Sequence, residues 1–161
     1  MMPQTLRVDR GLPENSVKFA CTMRAKIKRR QPLHILLVED DPSDVMLTEC
    51  ALDETYIPHE LHTVRSGNDA LQYLRHEETF ADASAPDVIF LDLSLPHKDG
   101  LEVLAELTQE ASFNHTPIII LTGSQDYRHI LTSYNLWLSD YLAKPCSPEK
   151  LLEAFGKLHS P

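Results

Sequence analysis

The sequence predicts an α/β fold in which five parallel strands alternate with five helices in a doubly wound sheet. Five short apolar runs alternate with amphipathic segments along residues 33–159. The third and fourth runs, Val88–Leu91 and Ile118–Leu121, are continuous and rich in β-branched residues, as strands covered on both faces are. The first four runs begin 26 to 30 residues apart, which leaves room for a crossover helix between parallel strands.

The other strands follow from the same pattern. The first is assigned to Leu33–Val38 and the short fifth one to Tyr141–Ala143. The second strand, His59–Val64, alternates polar and apolar residues, which favours an edge of the sheet. Because connections between parallel strands are right-handed, the crossovers are expected to place helices on both faces of this sheet.

The helices are recognised by their ends and by their apolar spacing. Asp41-Pro42 and Ser147-Pro148 each combine an N-cap residue with proline at the first helical position. The segment Ser66–Asp69 suggests a capping box. Apolar residues at i, i+3, i+4 and i+7 predict a fourth helix; they are Tyr127, Ile130, Leu131 and Tyr134. A similar stripe predicts the last helix and consists of Leu151, Phe155 and Leu158.

The composition, with 42% hydrophobic and 24% charged residues among 161, is that of a soluble globular protein. Its apolar runs fall short of the ~20 residues that a membrane span needs, and residues 1–30 lack the apolar core of a secretory signal. The three cysteines, Cys21, Cys50 and Cys146, are too few and too scattered for a disulfide or zinc framework. We therefore expect a cytoplasmic protein with no membrane partner.

The net charge of −9 is unevenly distributed. Residues 1–30 hold eight basic and two acidic side chains, a net +6, whereas residues 31–161 hold seven basic and 22 acidic ones, a net −15. We predict a basic, disordered extension over 1–30 and one folded domain over 31–161. The acidic domain repels nucleic acid, so nucleic acid is not an expected partner. Two alternatives stay open for the extension, a binding role or a translation start at Met23.

Charged and polar residues follow four of the predicted strands at their carboxyl ends, where parallel α/β sheets bind ligands. Strand one is followed by Glu39-Asp40-Asp41 and strand three by Asp92. Strand four is followed by Thr122-Gly123, and strand five by Lys144-Pro145. Since all five strands are expected to be parallel, these groups converge on one rim of the sheet.

This combination of groups indicates a particular chemistry. Carboxylates that lie close together repel one another unless a cation lies between them, and oxygen donors without Cys or His favour Mg²⁺. A carboxylate, Mg²⁺, a lysine and a hydroxyl are the components needed for phosphoryl transfer to an aspartate. Each residue alone has a plainer explanation as a strand-end turn, a helix cap or a solvated lysine. Together they predict an aspartyl phosphate.

Five motifs resemble the receiver domain of two-component response regulators. They are Val38-Glu39-Asp40-Asp41, Leu91-Asp92-Leu93-Ser94-Leu95-Pro96, Lys98-Asp99-Gly100, Leu121-Thr122-Gly123-Ser124 and Tyr141-Leu142-Ala143-Lys144-Pro145. The resemblance covers roughly residues 33–159 with the motifs in the family's order. It implies a flavodoxin-like fold with strand order 2-1-3-4-5, so that residues 31–161 form a receiver domain.

The resemblance also implies roles for the rim residues in phosphorylation and switching. Asp92 accepts the phosphoryl group from a histidine kinase, and Lys144 bridges to that group. Thr122 and Tyr141 are the switch residues, because the hydroxyl of Thr122 swings toward the phosphate and Tyr141 moves inward with it. Gly123 leaves the path to the phosphate open.

A second set of residues is implied to bind Mg²⁺. Asp40 and Asp92 bind the ion directly, Ser94 contributes its backbone carbonyl, and Glu39 acts through water. The peptide bond before Pro145 is expected to be cis, as in similar receivers.

We expect a signalling protein and not an enzyme, apart from its own phosphoryl transfer and a slow hydrolysis. The resemblance implies that Ser94 and Ser124 flank the approach of the hydrolytic water, and their short hydroxyls offer neither a carboxylate nor an amide to orient it. The DLSLPxKDG stretch resembles the phytochrome-associated response regulators. A stand-alone receiver is expected, with a histidine kinase upstream, a phytochrome-type photoreceptor kinase as a candidate, and a phosphotransfer protein downstream.

The expected output surface consists of the fourth predicted helix, the fifth strand and the last helix. Tyr134, Trp137 and Leu138 are the candidates for an interface there, including one that forms a homodimer. The main alternative is a receiver-like interaction module that works without phosphorylation, which predicts a gap among the rim residues. A phosphatase with an aspartate nucleophile is a further alternative, but it calls for a second Asp where Ser94 stands.

Overall fold

The structure of the chain, a computed structural model, describes residues 31–123 and 138–158, with the backbone alone described for 138–140. Within these residues five parallel strands form one sheet in the order β2-β1-β3-β4-β5, which confirms the predicted topology. The strands are β1 (Leu33–Val38), β2 (His59–Val64), β3 (Val88–Asp92), β4 (Ile118–Thr122) and β5 (Leu138–Ala143). Every residue of β3 and β4 is buried, as their continuous apolar runs predict.

The observed strand bounds matter at the carboxyl ends. Strands β3 and β4 each run one residue beyond the predicted bound, so that Asp92 and Thr122 belong to the sheet. Asp92 is in register with Leu121, and Thr122 is in register with Ala143. The backbones of these two polar residues are therefore fixed by strand pairing on a rigid element.

The described residues contain four α-helices, not the five predicted. They are α1 (Pro42–Glu54), α2 (Gly67–Arg75), α3 (Gly100–Gln109) and α4 (Pro148–Leu158). The fourth predicted helix, with its apolar stripe from Tyr127 to Tyr134, falls within residues 124–137, which lie outside the described part of the chain. The basic extension over 1–30 also lies outside it. None of the described helices is both long enough and apolar enough to cross a bilayer.

Side-chain caps begin α1, α2 and α4 at the predicted residues, but the structure gives Ser66 a single capping bond and not the predicted capping box. Asp41 caps α1 by accepting hydrogen bonds from the backbone N–H groups of Ser43 and Asp44, at 2.8 and 3.4 Å. The hydroxyl of Ser147 caps α4 in the same way. Ser66 accepts from the N–H of Asp69 at 3.1 Å, whereas a reciprocal capping box opens α3, between residues 99 and 102.

Two hydrophobic cores cover the two faces of the sheet, because successive strand residues point to opposite sides. Leu33, Ile35 and Leu37 of β1 belong to the core that contains buried residues of α1 and α4. Leu36 and Val38 belong to the core that contains buried residues of α2 and α3. This double covering leaves the ends of the strands as the places where polar groups meet water.

Candidate functional site

The carboxyl ends of β1, β3, β4 and β5 bring the predicted polar residues to one rim of the sheet. Asp92 is the last residue of β3, and Thr122 is the last residue of β4. Glu39 and Asp40 directly follow β1, and Lys144 directly follows β5. Residues that lie up to 105 positions apart in the chain are therefore neighbours at this rim.

Three carboxylates form the centre of the site. Ligand oxygens of Glu39, Asp40 and Asp92 all lie within 4.8 Å of one another. Glu39 is 1% exposed and Asp92 is 2% exposed, while Asp40 is half-buried at the rim. Three oxygen donors with three formal negative charges, two of them withdrawn from water, fit a small hard divalent cation.

Lys144 joins this cluster from the end of β5. Its Nζ donates hydrogen bonds to Glu39 Oε2, to Asp44 Oδ2 at 2.8 Å and to Asp92 Oδ2 at 3.1 Å. Its backbone N–H donates to the carbonyl of Thr122 at 2.9 Å, and the peptide bond between Lys144 and Pro145 is cis. The three donors of the ammonium group are thus all directed at carboxylates.

The pKa values of Glu39 and Lys144 follow from burial and charge. Burial raises the pKa of Glu39 to about 7, although hydrogen bonds from Lys144 and from the N–H of Asp41 oppose the change. Burial alone would lower the pKa of Lys144, but hydrogen bonds to Asp44, Glu39 and Asp92 outweigh it, and the net shift is upward. Lys144 is therefore a permanent cation at this rim.

The local backbone holds the Asp92 carboxylate in place. Its Oδ1 accepts a hydrogen bond from the N–H of Ser94 at 3.0 Å, while Oδ2 accepts from Lys144. The following loop returns close to the strand, because the N–H of Gly100 donates to the carbonyl of Leu93 at 3.1 Å. A Cβ atom at Gly100 would lie 2.3 Å from the backbone oxygen of Asp92, so only glycine allows this approach.

The remaining rim residues differ in their surroundings. Thr122 is fully buried, and Tyr141 is half-buried and packs against the core beneath α2 and α3. A Cβ atom at Gly123 would meet nothing within 4 Å, so the space beside this residue is open. Of the interface candidates, Tyr134 and Trp137 lie outside the described residues, and Leu138 is placed only as the first residue of β5.

One member of the cluster was missed by sequence reasoning. Asp44 is in the first turn of α1, where an acidic residue is ordinarily explained by the helix dipole. Its place two residues after the Asp41-Pro42 cap, at the same rim as the strand ends, is the signal that could have identified it. Its partner, however, lies 100 residues further along the chain.

The strand order and the acidic side chains that surround Lys144 at the rim are those of a receiver-type α/β protein. Residues 35–156 match the response regulator receiver domain, and the chain belongs to that family. The chain is similar to the response regulator Rcp1 of Synechocystis sp.. The two are 39% identical over 113 residues, which cover 70% of this chain and 77% of Rcp1.

Solved structures of phytochrome response regulators share this architecture. The bacteriophytochrome response regulator AtBRR is 34% identical, with a TM-score of 0.74 over 80% of this chain and 93% of that one. The phosphorylated cyanobacterial phytochrome response regulator RcpA is 40% identical, with a TM-score of 0.66 over 77% of this chain and 89% of that one. The Mn²⁺-bound form of Rcp1, at 36% identity, has a TM-score of 0.65 over the same shares.

Proposed function

We propose that this protein is a response regulator that accepts a phosphoryl group on Asp92 from a histidine kinase, in a reaction that depends on Mg²⁺. The observation that carries the proposal is the position of Asp92 at the centre of the rim. Its carboxylate lies within 4.8 Å of those of Glu39 and Asp40, and its Oδ2 lies 3.1 Å from Nζ of Lys144.

The chemistry assigned to Asp92 is a single displacement at phosphorus. A carboxylate oxygen of Asp92 attacks the phosphorus of the phosphohistidine, the P–N bond breaks, and the imidazole of the kinase keeps the electron pair and takes up a proton. The product is an acyl phosphate on Asp92. Lys144 carries the fixed positive charge that offsets the phosphoryl oxygens, and the open space beside Gly123 is the path for the donor.

Asp40, Asp92 and the backbone carbonyl of Ser94 are the residues that would hold Mg²⁺, with Glu39 acting through water. When bound, the ion supplies further positive charge to the phosphoryl oxygens. The all-oxygen donor set supports Mg²⁺, and the Mn²⁺-bound structure of Rcp1 supports a divalent cation in this family.

The switch is assigned to Thr122 and Tyr141. The Thr122 hydroxyl is expected to bind the phosphoryl group, and the half-buried Tyr141 is expected to follow it inward. The signal is then expected to pass to the output surface predicted from the sequence, which includes the fourth predicted helix, β5 and α4. Hydrolysis is expected to be slow, because the short hydroxyl of Ser94 cannot hold an attacking water.

The similarity to phytochrome response regulators supports a phytochrome-type histidine kinase as the upstream partner. A phosphotransfer protein is the proposed downstream partner, and the proposed location is the cytoplasm. A phosphorylation-independent interaction module is the alternative, and it predicts that one of the reacting groups is absent. The presence of Asp40, Asp92, Thr122 and Lys144 at one rim argues against it.

Replacing Asp92 with Asn tests this proposal, because the amide cannot form an acyl phosphate. We expect acetyl phosphate with Mg²⁺, or a phosphorylated histidine kinase, to label the wild-type protein and to leave Asp92→Asn unlabelled on phosphate-affinity gels. Asp82→Asn, which removes an exposed aspartate before β3, is the matched control and should be labelled like the wild type. Full labelling of Asp92→Asn, or of the wild type with Mg²⁺ removed by EDTA, would contradict the assignment.

A further inference from the structure

A groove separate from the rim lies at the amino ends of β1 and β2. It has a volume of about 390 Å³ and is lined by His34 of β1, Glu60 of β2, Tyr73 of α2 and residues of the segment 79–86. Glu39, the first rim residue, lies five positions beyond His34, which is about 17 Å along the strand. The groove is therefore not part of the phosphorylation site.

Aromatic rings form one wall of this groove. The ring centroids of Tyr73 and Phe80 lie 5.4 Å apart, and the ring of His62 lies 4.6 Å from that of Tyr73. The Tyr73 hydroxyl donates a hydrogen bond to the carbonyl of Ser84 at 2.9 Å, which fixes its ring. An aromatic surface of this kind binds the flat guanidinium group of arginine.

Carboxylates border the aromatic wall. Glu60 and Asp82 line the groove, and among its described lining residues none is lysine or arginine. The side chain of Glu60 is 64% exposed although its Oε2 lies 3.3 Å from Nδ1 of His34, so it can accept a further cationic partner. Asp82 is exposed as well. Carboxylates beside aromatic rings favour a cationic ligand.

The chain supplies such a ligand directly before β1. Residues 26–30 read KIKRR, which places four basic side chains in five positions. The N–H of Leu33 donates to the carbonyl of Pro58 at 2.8 Å, so the chain enters the sheet beside β2. Arg30 is four positions before His34, and even a fully extended chain keeps the two within about 14 Å of each other. The basic segment therefore reaches the groove without a long linker.

We propose that residues 26–30 of this chain dock in the groove, with Arg29 and Arg30 against the aromatic wall and the carboxylates of Glu60 and Asp82. The charges agree with this docking, since residues 1–30 carry a net +6 and residues 31–161 a net −15. Exposed ion pairs are individually weak, but the short connection holds the segment at an effective concentration on the order of millimolar. The docking goes beyond the proposed function and does not depend on phosphorylation.

Limited trypsin digestion of the full chain tests this docking, because a docked segment is cut slowly. The measured quantity is the initial rate of cleavage after Arg29 and Arg30 divided by the rate after Arg10, an internal reference, with the peptides quantified by mass spectrometry. Replacing both carboxylates, by Glu60→Gln and Asp82→Asn, should raise this ratio about two- to fivefold, the scale of weak surface ion pairs. High salt should raise the wild-type ratio in the same way, because it screens the charges.

The control is a Glu49→Gln, Glu153→Gln protein, which loses the same charge from α1 and α4 on the opposite face of the sheet and should keep the wild-type ratio. Equal ratios for the wild type and the Glu60→Gln, Asp82→Asn protein, or an equal rise in the control, would overturn the docking. A ratio that falls as the protein concentration rises would also overturn it, because the groove would then hold the segment of a second copy. None of these readouts involves labelling of Asp92, so they are independent of the proposed function.

Discussion

Lys144 faces an excess of negative charge at the rim. One ammonium group donates to three carboxylates, and the carboxylate of Asp40 lies beside two of them. Burial of Glu39 partly offsets this excess, because a carboxylate withdrawn from water holds its proton more tightly, and its pKa rises to about 7. Such an excess favours the binding of a divalent cation, whose charge offsets that of the carboxylates.

Cys146 has no part in this chemistry, but its thiol reports on the packing beneath the rim. It is buried in the core between the sheet and the α1 and α4 helices, and burial raises the pKa of the thiol to about 11. The ordinary pKa of a cysteine thiol is 9.0, so the folded state favours the neutral thiol. The resulting contribution to the free energy of unfolding is fully present below pH 9 and is lost as the pH rises through about 11.

The raised pKa predicts slow modification of Cys146, because the thiolate is the reacting form. In a Cys21→Ser, Cys50→Ser protein, Ellman's reagent should react slowly at pH 8, with a rate that climbs about tenfold per pH unit toward pH 11. The control is Cys21→Ser, Cys146→Ser, which keeps only the exposed Cys50 and should react quickly. Equal rates for the two proteins at pH 8 would refute the prediction.

At the scale of elements, the junction between β3 and α3 sets the position of the phosphoacceptor. The reciprocal bonds between Asp99 and Glu102 fix the first turn of α3 directly after the loop that follows Asp92. Gly100, the first residue of α3, is pressed against the backbone of Asp92 and Leu93. The start of a helix and the end of a strand are therefore fixed against each other.

Gly100→Ala should separate these two elements. The added Cβ would lie 2.3 Å from the backbone oxygen of Asp92 and 2.6 Å from Cα of Leu93, and backbone atoms cannot rotate away. We expect the free energy of unfolding in urea to fall by about 1–3 kcal/mol, the usual cost of overpacking, and labelling of Asp92 to slow.

Gly123→Ala is the control for the effect of a methyl group at the same rim. Its Cβ would meet nothing within 4 Å, so the free energy of unfolding should change by no more than about 0.5 kcal/mol. A Gly100→Ala protein as stable as Gly123→Ala would show that the β3–α3 junction can move without cost.

At the scale of the whole molecule, the double covering of the sheet directs the chemistry to its carboxyl rim. We propose that the phosphorylation signal leaves through the output surface predicted from the sequence, which includes the fourth predicted helix, β5 and α4. Tyr141 of β5, which is half-buried and packs on the core beneath α2 and α3, is the residue that we propose connects this face to the site.

We propose that two copies of the protein form a dimer through this face. Trp137→Ala should lower the dimer fraction in sedimentation velocity runs with Mg²⁺ and beryllofluoride, while acetyl phosphate labels Asp92 at the wild-type rate. Met46→Ala removes an apolar side chain that is 59% exposed on α1, and as a control it should leave the dimer fraction unchanged. A wild-type protein that is monomeric with and without beryllofluoride would rule out the homodimer.

Much of this fold could be predicted because strands and helix starts are encoded locally. The alternation in His59–Val64 and the continuous run in Ile118–Leu121 depend only on neighbouring residues; the first strand was predicted with its observed bounds, and the second lacked only its last residue, Thr122. Asp41 and Ser147 cap their helices through bonds to residues two or three positions on, so their roles were also visible in the sequence. The bounds of β5 were less predictable, because pairing with β4 extends it back to Leu138.

The sequence by itself determined that Glu39, Asp40, Asp92, Thr122 and Lys144 reach the carboxyl rim, because parallel strands end on the same side and these residues lie at four of the strand ends. Only the tertiary structure decided which atoms meet there. The crossovers carry Lys144 back to within 2.8 Å of Asp44, and the loop after β3 brings Gly100 against Asp92. Such contacts depend on the register of the sheet and on the packing of helices across it, which no local pattern specifies. For the same reason, the pKa of Glu39 is a property of the folded rim and not of the motif that contains it.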